Sequence, residues 1–149
     1  MAAYLSNELS NTITGLATTI PVGYKPAATV YGARVKAFRA TVTFAAQTIT
    51  DTIQLFALPS GMTFLRGTAY VSVSTGTATV AIGNAGTTGK YRAAGAITVV
   101  DTPQDFGLTA IVGAVSASTA EEIVIVTIGT ASLPASGTMV IEFLMSAVN

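Results

Sequence analysis

The side chains of this chain that most readily suggest acid–base work are seven carboxylates: Glu8, Asp51, Asp101, Asp105, Glu121, Glu122 and Glu142. Two of them flanking a bond would make a glycoside hydrolase. Such pairs sit in clefts, among neighbours that drive their pKa values apart. Glu121 and Glu122 are adjacent, so on a strand they point to opposite faces. Asp101 and Asp105 lie four apart in a polar stretch and offer only a sparse oxygen set for calcium. Solvated loop and strand-end charges are the simpler reading of all seven. With no Cys and no His in the chain, thiolate and imidazole metal sites, disulfides and Cys- or His-based mechanisms are excluded. A Ser or Thr nucleophile needs a lysine or terminal amine as its base, and no spacing marks one. The run Gly83-Asn84-Ala85-Gly86-Thr87-Thr88-Gly89-Lys90-Tyr91 fails as a phosphate loop. Its outer glycines are one residue too far apart, Tyr91 stands where a hydroxyl ligand is needed, and no helix pattern follows. It reads as a flexible surface loop whose Lys90, Tyr91 and Arg92 could touch a partner. No catalytic residue, cofactor or metal is expected, and the chain reads as a non-enzyme.

The elements that would position these groups belong to an unusual composition. Only 9% of the 149 residues are charged, against roughly 25% in an ordinary soluble domain. Half are hydrophobic, but 25 are Ala and 24 are Thr, and the net charge is zero. A surface so poor in charge is weakly protected against association, and charge depletion marks the buried part of interfaces. Much of the surface is therefore expected to be covered by partners. The net zero hides a polarity: residues 1–50 sum to +3 through Lys25, Arg34, Lys36 and Arg39 against Glu8, and the remainder sums to −3. That suits head-to-tail contacts between subunits or docking on an acidic surface. It does not suit nucleic acid, for which the basic footprint is too small. No apolar run approaches the roughly 18 residues of a membrane span. The opening residues lack the basic and apolar regions of a secretory signal.

Residues 1–30 hold Gly15, Pro21, Gly23 and Pro26 among Ser, Asn and Thr, and read as an extended arm. Tyr4, Tyr24 and Tyr31 argue for an arm ordered against a partner. From residue 31 to 149 one β-domain is expected. Phe38, Ala40, Val42 and Phe44 alternate with polar residues, as in a half-buried strand. Asp51–Leu58 is a second strand, ended by Pro59-Ser60-Gly61. Thr63–Ser74 and Thr77–Ile82 flank Thr75-Gly76 and predict a hairpin. Ile97–Val100 and Phe106–Val112 are weaker candidates. Glu122–Ile128 is apolar on both faces and should be central. Thr138–Val148 aligns Met139, Ile141, Phe143 and Met145. About eight strands and almost no helical signal predict a single-domain, all-β jelly roll or β-sandwich with an N-terminal arm.

Several stretches resemble small virion proteins of tailed bacteriophages, the capsid decoration or cement proteins. They are Val30–Thr41, Asp51-Thr52-Ile53, Leu58-Pro59-Ser60-Gly61, Thr77–Gly83 and Gly86–Ala94. The resemblance spans roughly residues 30–145, and none of its motifs is catalytic. It implies a jelly-roll or similar domain on the outer capsid surface of the virion. It also implies contact with the major capsid protein and a homo-oligomer, a trimer ahead of a dimer. The partner-binding candidates are Tyr4, Tyr24, Lys25 and Tyr31 in and beside the arm, with Arg34, Lys36 and Arg39 for acidic partners. A tail or head–tail structural protein is one alternative. A glycan-binding module of a tail fibre, stacking sugars on Tyr70 or Tyr91, is another.

Overall fold

The computed structural model describes residues 34–107 and 118–147. Eight strands follow in order: β1 (Arg34–Thr43), β2 (Thr52–Leu58), β3 (Met62–Val71), β4 (Thr79–Gly83), β5 (Arg92–Gly95), β6 (Gln104–Phe106), β7 (Glu122–Gly129) and β8 (Thr138–Ala147). They form two antiparallel four-stranded sheets, ordered β1-β8-β3-β6 and β2-β7-β4-β5. Among these strands only β4 and β5 are neighbours both in sequence and in a sheet. Every other step carries the chain from one sheet to the other, which is the jelly-roll arrangement.

The period-two patterns explain which faces meet. On β8, Met139, Ile141, Phe143 and Met145 are buried, as their alternation predicts. On β7, Val124, Val126 and Ile128 point inward while Ile125 is buried on the outer face. β7 lies between β2 and β4, in the central position that its two apolar faces require. The inward faces interdigitate around Phe143, whose ring lies 4.9–5.6 Å from those of Phe56, Phe64, Tyr91 and Phe106. Each such side chain contributes about 1.5–3 kcal/mol by leaving water. The ring of Phe106 lies flat against Gly67, where a Cβ would come within 2.2 Å of it.

Two expectations are corrected. Thr63–Ser74 and Thr77–Ile82 do not form a hairpin. β3 already has β8 and β6 on its two flanks, and seven residues separate it from β4, too many for a tight turn. Thr75 instead turns a corner between the sheets: its hydroxyl donates to the carbonyl of Ala78 and accepts from the Ile97 amide. Gly76 supplies the positive φ of +60° that the corner needs. The actual hairpin is β4–β5, closed by residues 84–91. Second, Ile97–Val100 is not a strand, and Arg92–Gly95 is. Ile97 is buried against the corner, but Val99 and Val100 project into solvent. Of Phe106–Val112, Phe106 ends β6 and residues 108–112 lie outside the described part, as does the expected arm at 1–30.

Candidate interaction surface

The sandwich has two ends. At the near end are Arg34 and Ala147, together with residues 59–61 and 84–91. At the far end are residues 44–51, 72–78, 96–103 and 130–137. The candidates Tyr4, Tyr24, Lys25 and Tyr31 lie outside the described residues. The other three sit on β1, an edge strand. Arg34 and Lys36 continue the inward face of Phe38, Ala40 and Val42, but at the near end that face emerges from the sandwich and both are exposed. Arg39 lies on the opposite face. It stands directly across from Glu142 on β8, with Nε 3.6 Å from Oε1. The structure thus separates the trio: Arg34 and Lys36 share a face, while Arg39 has a local carboxylate. At this exposure the Arg39–Glu142 pair is worth little, ~0–1 kcal/mol.

Lys90, Tyr91 and Arg92 are each engaged within the domain. Tyr91 is only 6% exposed. Its ring packs 4.8 Å from that of Phe64, and its hydroxyl donates to Glu122 Oε1 at 2.9 Å. The other Glu122 oxygen pairs with Lys90, whose ammonium also lies 5.2 Å from the centre of the Tyr91 ring. Burial first, then the hydrogen bond and charge of Glu122, push the Tyr91 phenol well above its ordinary pKa. This excludes Tyr91 as a platform for a sugar ring. The Arg92 guanidinium donates to main-chain carbonyls, to Gly95 at 2.9 Å and to Val80 across the β4–β5 irregularity. Burial lowers its pKa. Sequence separation hides this cluster, because Glu122 lies 31 residues from Tyr91 and only strand pairing joins them.

The glycine loop is braced rather than open. Asn84 and Thr87 exchange main-chain hydrogen bonds, and the Thr87 amide also donates to Asn84 Oδ1 at 2.7 Å. The loop folds back onto Gly83 so closely that a Cβ there would lie 2.1 Å from the Thr87 carbonyl. The Asn84 and Thr87 amides are thus spent internally and are not open to a phosphate. A groove of about 360 Å³ opens between β5 and β6, lined by Lys90, Arg92 and Asp105 among others. Its polar groups are engaged too, Lys90 by Glu122, Arg92 by carbonyls, and Asp105 by the Thr68 hydroxyl at 3.0 Å. Asp101 and Asp105 do not join a group of ligating side chains: among the described residues no three His, Cys, Asp or Glu converge.

What the surface does offer is exposed aliphatic carbon. Among the described residues the large exposed hydrophobics are Ile49, Val73, Val99 and Val100 at the far end, and Val35 and Ile123 toward the near end, where alternation puts them on the outer faces of opposite sheets. The far end is tied together by main-chain bonds: Phe44 to Gly137, Ala46 to Pro134, Leu133 to Gln47, Ser72 to Thr138 and Thr75 to Ile97.

No protein-family model matches the chain, and no curated protein matches it. Its fold is similar to that of a chain in the cyanophage Pam1 capsid asymmetric unit, with TM-score 0.63 and 21% identity over 79% of this chain and 88% of that one. It is also similar to a chain in the capsid of Ralstonia phage GP4, with TM-score 0.62 and 18% identity over 78% and 86%. A chain in the acidic stable capsid structure of Helicobacter pylori bacteriophage KHP30 aligns more loosely, at TM-score 0.48 and 18% identity over 76% and 91%. At these identities the likeness to the first two is one of fold: the chain is a β-sandwich of the kind present in two phage capsids.

Proposed function

We propose that this protein is a structural component of a bacteriophage virion. In particular, we read it as a decoration protein on the outer surface of the capsid shell, in contact with the major capsid protein and with copies of itself. One observation carries the reading. The jelly roll matches chains of two phage capsid structures over nearly four-fifths of this chain and more than four-fifths of theirs. The surface chemistry supports it. The charged groups lining the groove are engaged internally, while Ile49, Val73, Val99 and Val100 stand exposed on loops tied together by main-chain bonds. Such a surface suits persistent protein contact better than turnover.

An arm at residues 1–30, as the sequence leads one to expect, would fit the same role, since an extended chain spans up to ~3.5 Å per residue and covers much partner surface for its length. The decisive experiment adds purified full-length protein to shells that lack it and measures bound copies by co-sedimentation and densitometry. Copy numbers comparable to the shell subunit support decoration. A handful of copies per particle would assign the protein to the tail or the head–tail junction instead. Deleting residues 2–28 should leave the β-domain folded and abolish shell binding; full binding by the truncated chain would remove the arm from this account.

A further inference from the structure

We infer that the far end of the sandwich receives residues 20–25 of a neighbouring copy, with Lys25 set against Asp101. The inference deepens the proposed function, because it rests on reading the protein as one that packs against itself.

The far end is a preformed apolar surface. Its loops lie side by side in the order of the strands they leave: 44–51, 130–137, 72–78 and 96–103. Main-chain hydrogen bonds run across them, joining Phe44 to Gly137, Ser72 to Thr138 and Thr75 to Ile97. The same loops expose Ile49, Val73, Val99 and Val100. They also hold all four non-glycine residues with positive φ among the described residues: Ala46, Thr50, Asp101 and Thr130, at +52° to +75°. Such backbone is strained and persists only where its surroundings over-determine it. Strain gathered on an exposed apolar surface points to binding there. A surface already ordered loses little entropy when something docks on it.

Charge and reach select the occupant. The far-end loops contain Asp51 and Asp101 and no Lys or Arg. Asp51 accepts from the Thr48 amide at 2.7 Å. Asp101 is exposed beside Val99 and Val100 and forms no ion pair among the described residues. Residues 1–33 lie outside the described part and contain one basic residue, Lys25, which ends the run Ile20-Pro21-Val22-Gly23-Tyr24. With strands about 4.8 Å apart the four loops span about 14 Å, and the steps from Ile20 to Lys25 span about 17 Å when extended. The run therefore covers the surface from Ile49 to Val99 and brings Lys25 to Asp101. A copy cannot serve itself. The Asp101 amide bonds to Val71, which is level with Val42 on β1. Measured along β1 and across three strand spacings, Asp101 lies about 30 Å from Arg34. The nine steps from Lys25 to Arg34 reach about 30 Å only at full stretch. What the two side chains add, the reversal of direction before β1 consumes. The segment therefore comes from a neighbour. Mutual donation makes a dimer; successive donation makes a ring or an open array.

Cross-linking of the full chain tests this, because it has no native Cys. An equal mixture of Val22→Cys and Val73→Cys proteins should join through a short bismaleimide, and neither should link to itself. Val99→Cys provides a second position on the same surface, and circular dichroism confirms that each variant folds. The ion pair is tested by neutralisation, with Asn at position 101 because Asn tolerates the positive φ there. Asp101→Asn and Lys25→Gln should each weaken self-association about threefold in sedimentation velocity at low salt, and the double variant no further. A mixture that does not link, self-linked Val73→Cys dimers, or a double variant whose loss is the product of the two single losses would each overturn the inference. With both cysteines in one chain, linkage confined to that chain would overturn it too. So would a wild-type chain that remains monomeric at all concentrations and on shells. Shell binding of the same variants is measured in parallel. Linkage between copies without shell binding defeats only the virion assignment, and shell binding by copies that never link through residues 22 and 73 defeats only this inference.

Discussion

Replacing Tyr91 by Phe removes one oxygen and leaves the ring between Phe64 and Phe143. The lost bond runs to a carboxylate that still holds Lys90. A hydrogen bond to a charged group contributes ~1.5–3 kcal/mol, and the lower figure applies because Glu122 keeps a partner. At neutral pH Tyr91→Phe should therefore cost about 1.5 kcal/mol. The sign changes in alkali. Burial, then the bond and charge of Glu122, raise the Tyr91 pKa in the folded state, so the unfolded chain releases this proton first. Between the ordinary tyrosine value of ~10 and the raised one, the folded state binds more protons. This residue's contribution to stability is thus complete below pH ~10 and falls by about 1.4 kcal/mol per unit above it. Phe has no proton to hold. The two stability curves should meet about one unit higher, near pH ~11. Urea unfolding followed by far-ultraviolet circular dichroism, from about pH 7 to about pH 11, reads the difference directly. A gap between wild type and Tyr91→Phe that stays constant across that range would refute the claim that Tyr91 is held neutral by burial and Glu122.

Phe143→Ala should cost about 3–5 kcal/mol, since four other aromatic rings pack on that side chain; thermal unfolding by calorimetry measures it. Arg92→Met should cost about 2–3 kcal/mol by stranding the Val80 and Gly95 carbonyls. Arg92→Lys should recover only part of that loss in urea titrations, because one ammonium cannot replace a fork of donors. Thr127→Val should stabilise the fold by about 1 kcal/mol. Its hydroxyl is buried with no hydrogen-bond partner among the described residues, so the methyl replaces an oxygen that lost its water; a lowered urea midpoint would contradict this.

Strands were legible where one element's own pattern decides its fate. Met139, Ile141, Phe143 and Met145 declare β8, and the doubly apolar β7 declares its central place. Connections were not legible, because they depend on what occupies a strand's flanks. Thr75-Gly76 has the chemistry of a tight turn, yet β3 was already flanked, and the same residues serve as a corner. Val99 and Val100 have strand propensity but carry no ladder and stand exposed. For the surface, Arg34, Lys36 and Arg39 are close in sequence, but the pleat sends the third to the opposite face. The Lys90–Glu122–Tyr91 cluster left no trace in the sequence because its members meet only through the pairing of distant strands.

β1 carries three of the seven basic residues of the chain, and among the described residues it is an edge of its sheet. Charges on an edge strand also guard against indiscriminate pairing with other sheets, so Arg34 and Lys36 have two roles that neutralisation separates. If they only guard the edge, Lys36→Gln should promote aggregation, seen as turbidity and thioflavin binding, with specific association unchanged. If Lys36 meets an acidic partner surface, Lys36→Gln should weaken that association by about three- to tenfold and should flatten its dependence on salt. Arg39 provides the internal control. It sits on the same edge strand but faces Glu142, so Arg39→Gln should affect edge protection and leave the salt dependence intact. Equal loss of salt dependence in the Arg39 and Lys36 variants would mean that the face shared by Arg34 and Lys36 is not where an acidic partner docks, and that the charge of β1 acts as a whole.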